Sequence, residues 1–271
     1  KSVFPEKASN FITADGNGIE QDEREDILNY VFKISENESK CLKDLSSRDI
    51  YNIFLFHDLP PMMAKTYWAT STFPNYQFDW NAWGDLIFTN PILPRTVKGH
   101  HVQIFHGLLY LESKLRHFKH KNGTPYSDGL CTCRAERENH WHMLTCQYRK
   151  KIWTMIEKMI ERAFGIIFPL NDVRIRAGYF DLDHSYTMKL LINMILAMSR
   201  YHIWLTRNSI KKDNAIISFQ ECYLNLKYYL LNHINLLQIS NTTKADVKEA
   251  LPALVDSIEF IFKNGLTEND F

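Results

Sequence analysis

Apolar residues in the second half of the chain recur at steps of three and four, a period that an α-helix with one buried face satisfies and a strand does not. Ile152, Met155, Ile156, Met159, Ile160, Ala163 and Phe164 hold this step up to Gly165. Two longer segments, roughly 186 to 208 and roughly 214 to 238, repeat it. Upstream, Val97, His101, Val102, Phe105, Leu108 and Leu109 show the same pattern just after Pro91-Ile-Leu-Pro94. Earlier helices are predicted too. One follows the Asp15-Gly-Asn-Gly loop and carries Ile27, Leu28, Val31 and Phe32 on its apolar face. Another starts at Ser46-Ser47-Arg48-Asp49, runs through Ile50, Ile53 and Phe54, and breaks at Leu59-Pro60-Pro61. Short helices are expected near 62–70 and 79–88. Alternation with period two is scarce, and Val173 to Phe180 is the one modest strand candidate. The fold class expected is therefore mostly α: a multi-helix domain of about eight to ten helices, interrupted by an irregular cysteine-containing loop.

A 45% hydrophobic and 13% aromatic composition over 271 residues supplies the apolar area such a fold must bury. Disorder throughout is excluded. The stretch Leu190 to Met198 is broken by Asn193 and falls short of the roughly 20 residues that span a bilayer, so no membrane helix is predicted. Lys-Ser-Val-Phe-Pro-Glu at the N-terminus has neither an apolar run nor an initiator Met. A segment of something longer, or a processed chain, is the expectation.

The total of 32 Lys+Arg against 31 Asp+Glu conceals blocks. Residues 1–60 hold 12 acids and 7 bases, residues 61–162 hold 14 bases and 8 acids, and the remainder holds 11 of each. Seven of the eleven histidines (His100, His101, His106, His117, His120, His140, His142) lie in the basic block and are expected to add to its charge as pH falls toward 6. Three segments follow: an acidic helical part over 1–60, linker helices with the cysteine loop over 61–165, and a C-terminal helical bundle over 166–271.

Five cysteines, an odd number with three inside 16 residues, argue against a secreted disulfide framework and for a reducing compartment, nuclear or cytoplasmic. The cluster reads Cys131-Thr-Cys133-Arg-Ala-Glu-Arg-Glu138-Asn-His140-Trp-His142-Met-Leu-Thr-Cys146. Thiolate sulfur and imidazole nitrogen are the ligands zinc takes in a tetrahedron, and Cys131, Cys133, His142 and Cys146 can converge on one ion. Three Cys and one His leave no open position, so such a zinc is structural. His140 is the alternative fourth ligand.

These residues resemble the cysteine-histidine region that follows the reverse transcriptase in non-LTR (LINE-type) retrotransposons. That family shows paired Cys, a Glu-Thr or Glu-Ser step, then His, two hydrophobic residues and a final Cys running into a helix with Trp. The counterparts are Cys131 and Cys133, Glu138-Asn139, His142-Met143-Leu144, Cys146 and Trp153. Phe78-Asp-Trp80-Asn-Ala-Trp83, Pro91-Ile-Leu-Pro94 and Phe105-His106-Gly107-Leu108-Leu109 look like the linker helices of those elements, and Ile203-Trp204-Leu205-Thr206-Arg207-Asn208 looks like the helix after the knuckle. Coverage is about residues 46–210. The first pair is Cys-x-Cys where the family usually has Cys-x-x-Cys, and Asn139 replaces the hydroxyl residue.

The resemblance implies a non-catalytic zinc-knuckle domain that grips RNA or DNA. Candidates for phosphate contact are Arg95, Lys98, Lys114, Arg116, Lys119, Lys121, Arg134, Arg137, Arg149, Lys150 and Lys151, with Trp141 and Tyr148 as stacking residues. No adjacent catalytic aspartates and no Gly-rich phosphate loop occur, so no enzyme activity is expected. A helical protein-interaction scaffold stapled by zinc, with a partner on the helices after 185, is the competing expectation. A zinc hydrolase using Glu138, His140 and His142 is a remote third, because a closed sulfur-rich site suits water activation poorly.

Overall fold

The computed structural model describes residues 31–33, 39–41, 44, 80–105, 109, 111–120, 122–180, 183–212 and 217–264. The chain divides into two compact units, Lys1–Pro74 and Asn75–Phe271. In the first, strands β1 (Val31–Lys33) and β2 (Ser39–Cys41) pair antiparallel with Phe32 opposite Lys40. Val31 and Phe32 thus sit in a strand and not on a helix face, which corrects the expectation for that stretch. The helices predicted over 46–59 and 62–70 lie outside the described residues.

The second unit is helical. Its described helices are α1 (Trp80–Trp83), α2 (Arg95–Phe105), α3 (Glu112–Leu115), α4 (His140–Thr145), α5 (Gln147–Phe164), α6 (Asp172–Arg176), α7 (Tyr186–Lys212), α8 (Phe219–Ile239) and α9 (Ala245–Asn264). A π-helical turn, Gly84–Phe88, continues α1. Mostly-α architecture is therefore what the periodicity indicated. The strand candidate at Val173–Phe180 is overturned: Asn171 caps α6 there, its side chain accepting the Arg174 N–H at 2.9 Å, and a local cap outweighs a weak alternation. No helix of the described residues is long and apolar enough to cross a membrane.

Helix α7 is the axis. Leu190, Leu191, Ile192, Met194, Ile195, Leu196, Ala197 and Met198 are all buried, and a helix apolar all round must be covered all round. Helices α2, α4, α5, α8, α9 and the π-turn pack against it. Helix α5 ends where Gly165 takes a left-handed φ of 64°, a position that favours glycine. Segments on either side of residue 165 pack together, because α9 lies along α5 and the Ser257 hydroxyl donates to the Met159 carbonyl at 2.7 Å. Helix α9 buries Val247, Leu251, Leu254, Ile258 and Ile261 and carries an exposed Pro252 within it.

Asn193 and Arg200 are among the polar residues of α7 that lie inside this apolar setting. Asn193 uses its side chain as a backbone surrogate: Oδ1 accepts the Tyr179 N–H at 2.9 Å and Nδ2 donates to the Tyr179 carbonyl at 2.7 Å. Gly178, next to it, has φ 124°, and a Cβ there would lie 2.5 Å from Asn193 Oδ1. Arg200, fully buried, donates through Nη1 to the carbonyls of Ile175 at 2.9 Å and Arg174 at 3.3 Å, at the end of α6. It meets no carboxylate among the described residues, and burial brings its pKa down to about 9.

Candidate metal centre

The cysteine loop is a hairpin. Glu138 N–H donates to the Gly129 carbonyl at 3.0 Å, Cys131 N–H donates to the Glu136 carbonyl at 2.9 Å, and Leu130 pairs with Arg137. At its tip the Arg134 N–H closes a turn onto the Cys131 carbonyl at 2.9 Å, with Arg134 at φ 61°. That left-handed residue costs a non-glycine of order 1 kcal/mol. It also turns the N–H groups of Ala135 and Glu136 onto the Cys133 sulfur. Asn139 then caps α4, its Oδ1 accepting the N–H groups of Trp141 and His142 at 2.9 Å each. The amide at position 139 therefore does what a hydroxyl residue would do there.

The hairpin supplies Cys131 and Cys133, α4 supplies His142, and the junction of α4 and α5 supplies Cys146. Their ligand atoms all lie within 4.8 Å of one another. Cys131 Sγ is 3.8 Å from Cys146 Sγ and Cys133 Sγ is 3.2 Å from His142 Nε2. Metal–sulfur bonds of about 2.3 Å in a tetrahedron place sulfurs roughly 3.8 Å apart, so the spacing suits a four-coordinate ion. Burial pushes the Cys133 thiol up, but hydrogen bonds from the Ala135 N–H, the His142 ring, the Glu136 N–H and Cys146 outweigh it and bring the pKa down to about 6. A thiol so placed is ready to be the thiolate a metal needs. The other ring nitrogen, His142 Nδ1, lies 3.0 Å from the exposed Glu136 carboxylate, which fixes the ring with Nε2 toward the sulfurs.

The fold chooses His142 over His140. Two residues apart on a helix, their side chains diverge by about 200°, and only one can face the sulfurs. His140 lies instead beside Trp141, ring centroids 6.0 Å apart. Trp141 is half-buried, with the Arg176 guanidinium 5.1 Å from its ring centre.

Beneath the hairpin lies a buried ion cluster. Glu138, 1% exposed, receives Arg207 of α7 as a fork: Nε lies 3.2 and 3.0 Å from its two oxygens and Nη2 lies 2.5 Å from Oε2. The same Nη2 donates to Glu112 Oε1 at 2.8 Å, and Glu138 Oε2 accepts the Glu112 backbone N–H at 3.1 Å. Ser127 donates to Glu112, and Lys211 Nζ donates to the Leu130 carbonyl at 3.0 Å. Two pieces of the sequence resemblance, the Glu before the His and the Arg of Ile203–Asn208, therefore meet in one salt bridge. A carboxylate held this way does not face the sulfurs, so Glu138 is not placed to act on a metal-bound water.

The basic candidates are distributed over several elements. Arg95, Lys119, Arg134, Arg137, Lys150 and Lys151 are exposed, while Lys98, Lys114 and Arg116 are half-buried. Arg134 is paired with Asp128 at 2.5 Å. Arg149 is buried, close enough to His202 and Cys222 to affect their titration, and is not presented to a large ligand. Lys121, and the side chain of Tyr148, lie outside the described residues. Nor do all the histidines add charge. Burial, then Arg200, hold His100 down to about 3 and His101 well below its ordinary value.

Glu136, Glu112 and Arg207 carry roles that spacing alone does not reveal. Arg207 stands in a recognised string, but nothing in that string names its partners. Comparison with protein-family models, with curated proteins and with solved structures finds no match.

Proposed function

We propose that this chain is a non-catalytic nucleic-acid-binding module of the non-LTR retrotransposon type, in which a structural zinc ion holds the Cys131–Cys146 knuckle. Zinc would be bound by Cys131, Cys133, His142 and Cys146 and would supply a cross-link between hairpin and helix. The chain's own residues do the rest: Asn139 sets the helix start, Glu136 orients His142, and Arg207 ties the knuckle to the bundle. The observation that carries the reading is this Arg207–Glu138 fork, because it joins, in space, two motifs that the resemblance links only by order in sequence. Exposed Lys and Arg on α2, the knuckle and α5 then offer phosphate contacts.

The test has two parts. Purified protein should carry about one zinc per chain, and Cys146→Ser should lose it together with thermal stability. Binding to RNA and DNA should fall steeply with salt, with a log–log slope of roughly −4 to −5 if about six phosphates are contacted. A flat response, or no binding at low salt, would favour the second reading, a zinc-stapled protein-interaction scaffold. That reading draws on one observation: Leu224, Tyr228, Leu236 and Ile239 of α8 are exposed.

A further inference from the structure

Between α3 and the knuckle the chain forms a second, shorter hairpin. Tyr126 N–H donates to the Phe118 carbonyl at 3.0 Å, His120 N–H to the Thr124 carbonyl at 2.8 Å, and Lys119 pairs with Pro125. Gly123 turns the tip with φ 83°, and Asn122 Oδ1 braces it by accepting the Thr124 N–H at 3.1 Å. At the base, Ser127 is hydrogen-bonded to Glu112, so the hairpin stands on the ion cluster.

Its pairing decides which side chains share a face. Residues 118, 120, 124 and 126 lie on one side and 119 and 125 on the other, because side chains alternate along paired strands. Three rings therefore share one face of a two-stranded hairpin. Phe118 is 51% and Tyr126 56% exposed, and the His120 and Tyr126 rings stack at 3.9 Å between centroids and 30° between planes. Aromatic faces left open to water on so small an element are costly unless something covers them. The charge says what kind of cover fits. Residues 113–127 contain four Lys or Arg and no acid. The carboxylates that border this run are already engaged, Glu112 by Arg207 and Asp128 by Arg134.

We infer that this hairpin is a stacking platform for single-stranded nucleic acid, in which bases lie on Phe118 and on the His120–Tyr126 pair while Arg116 meets the backbone. Open rings require open base faces, which a duplex keeps covered by its own stacking and a single strand exposes. An acidic peptide would satisfy the charge but would leave three ring faces with no planar partner. The inference rests on the nucleic-acid reading proposed above and specifies the form of the ligand and where it lies.

The experiment measures fluorescence anisotropy of the full chain with a short labelled oligouridylate, the matching oligothymidylate and a duplex of the same length. Wild type should bind the single strands more tightly than the duplex. Phe118→Ala and Tyr126→Ala should each weaken single-strand binding by roughly 5- to 100-fold with an unchanged salt slope, whereas Arg116→Ala should reduce that slope by about 1. Phe118→Trp keeps a ring and should retain binding, which separates loss of stacking from loss of the hairpin fold. Ring variants that bind like wild type, or equal affinity for duplex and single strand, would overturn the platform and leave nucleic-acid binding elsewhere standing. Absence of binding to all three probes at low salt would overturn both.

Discussion

Removing Arg207 should do more damage than removing any other charged side chain of the second unit. Its guanidinium holds two carboxylates at once, Glu138 through three contacts of 2.5 to 3.2 Å and Glu112 through one of 2.8 Å. All three residues are 6% exposed or less. In Arg207→Met both carboxylates remain buried, with Lys211, 3.8 Å from Glu112, the one cation left in ion-pair range among the described residues. Breaking a buried pair from one side costs roughly 3–5 kcal/mol, because the stranded charge keeps its desolvation penalty. With a urea dependence of about 3 kcal/mol/M, the unfolding midpoint should move down by roughly 1–1.7 M. Arg207→Lys keeps the charge but loses the fork and should cost about half as much. Glu138→Gln in the Arg207→Met background should then cost less than it does alone, the two changes coupling by about 1–3 kcal/mol. The assay is urea denaturation followed by tryptophan fluorescence, since the buried Trp153 donates to the Leu144 carbonyl of α4 and reports on the same region. A loss below about 1 kcal/mol for Arg207→Met, or additivity in the double variant, would refute the reasoning.

Acid should destabilise the fold from about pH 6.5 downward through two buried histidines. His100 stays neutral in the folded chain down to about 3 and burial holds His101 well below its ordinary value, whereas an unfolded imidazole takes up its proton near 6.5, so stability is lost as pH falls below about 6.5. Each contributes on the order of 1 kcal/mol per pH unit in that window; His100→Phe, whose ring would sit beside Trp204 and Tyr201, should flatten the slope in pH-dependent melts. Asn139→Ala should cost about 1 kcal/mol and Asn139→Ser should recover most of it, read by the same urea titration. Glu136→Ala should weaken metal affinity by roughly 10-fold in a chelator competition, with little change in the fold.

Much of the second unit was legible because its signals are local. The three-and-four step marks α2, α5, α7 and α8 to within a few residues, and the Cys-His spacing marks the four side chains whose donor atoms converge. What was not legible depends on contacts distant in sequence. Asn193 looked like a flaw in an apolar run, yet it is the clamp on Tyr179, 14 residues away. Asn139 looked like a departure from a motif, yet an amide caps a helix as well as a hydroxyl. The basic block was counted as though every side chain faced water, but Arg149, His100 and His101 are interior. Val173–Phe180 misled because a single capping asparagine outweighs weak alternation over so few residues.

Asn193, Arg200 and Arg207 stand seven residues apart on α7, which puts all three on one line down the helix. Each reaches a different piece of irregular chain: the turn before α7, the end of α6, and the knuckle. Rotating α7 about its axis, or sliding it by one turn of about 5.4 Å, would leave the apolar contacts nearly as good, since Leu, Ile and Met interchange readily. The same motion would leave an amide and two guanidiniums facing hydrocarbon. These three side chains act as registration pins: greasy neighbours make the central rod stay inside, while the polar line determines at what height and angle it stops.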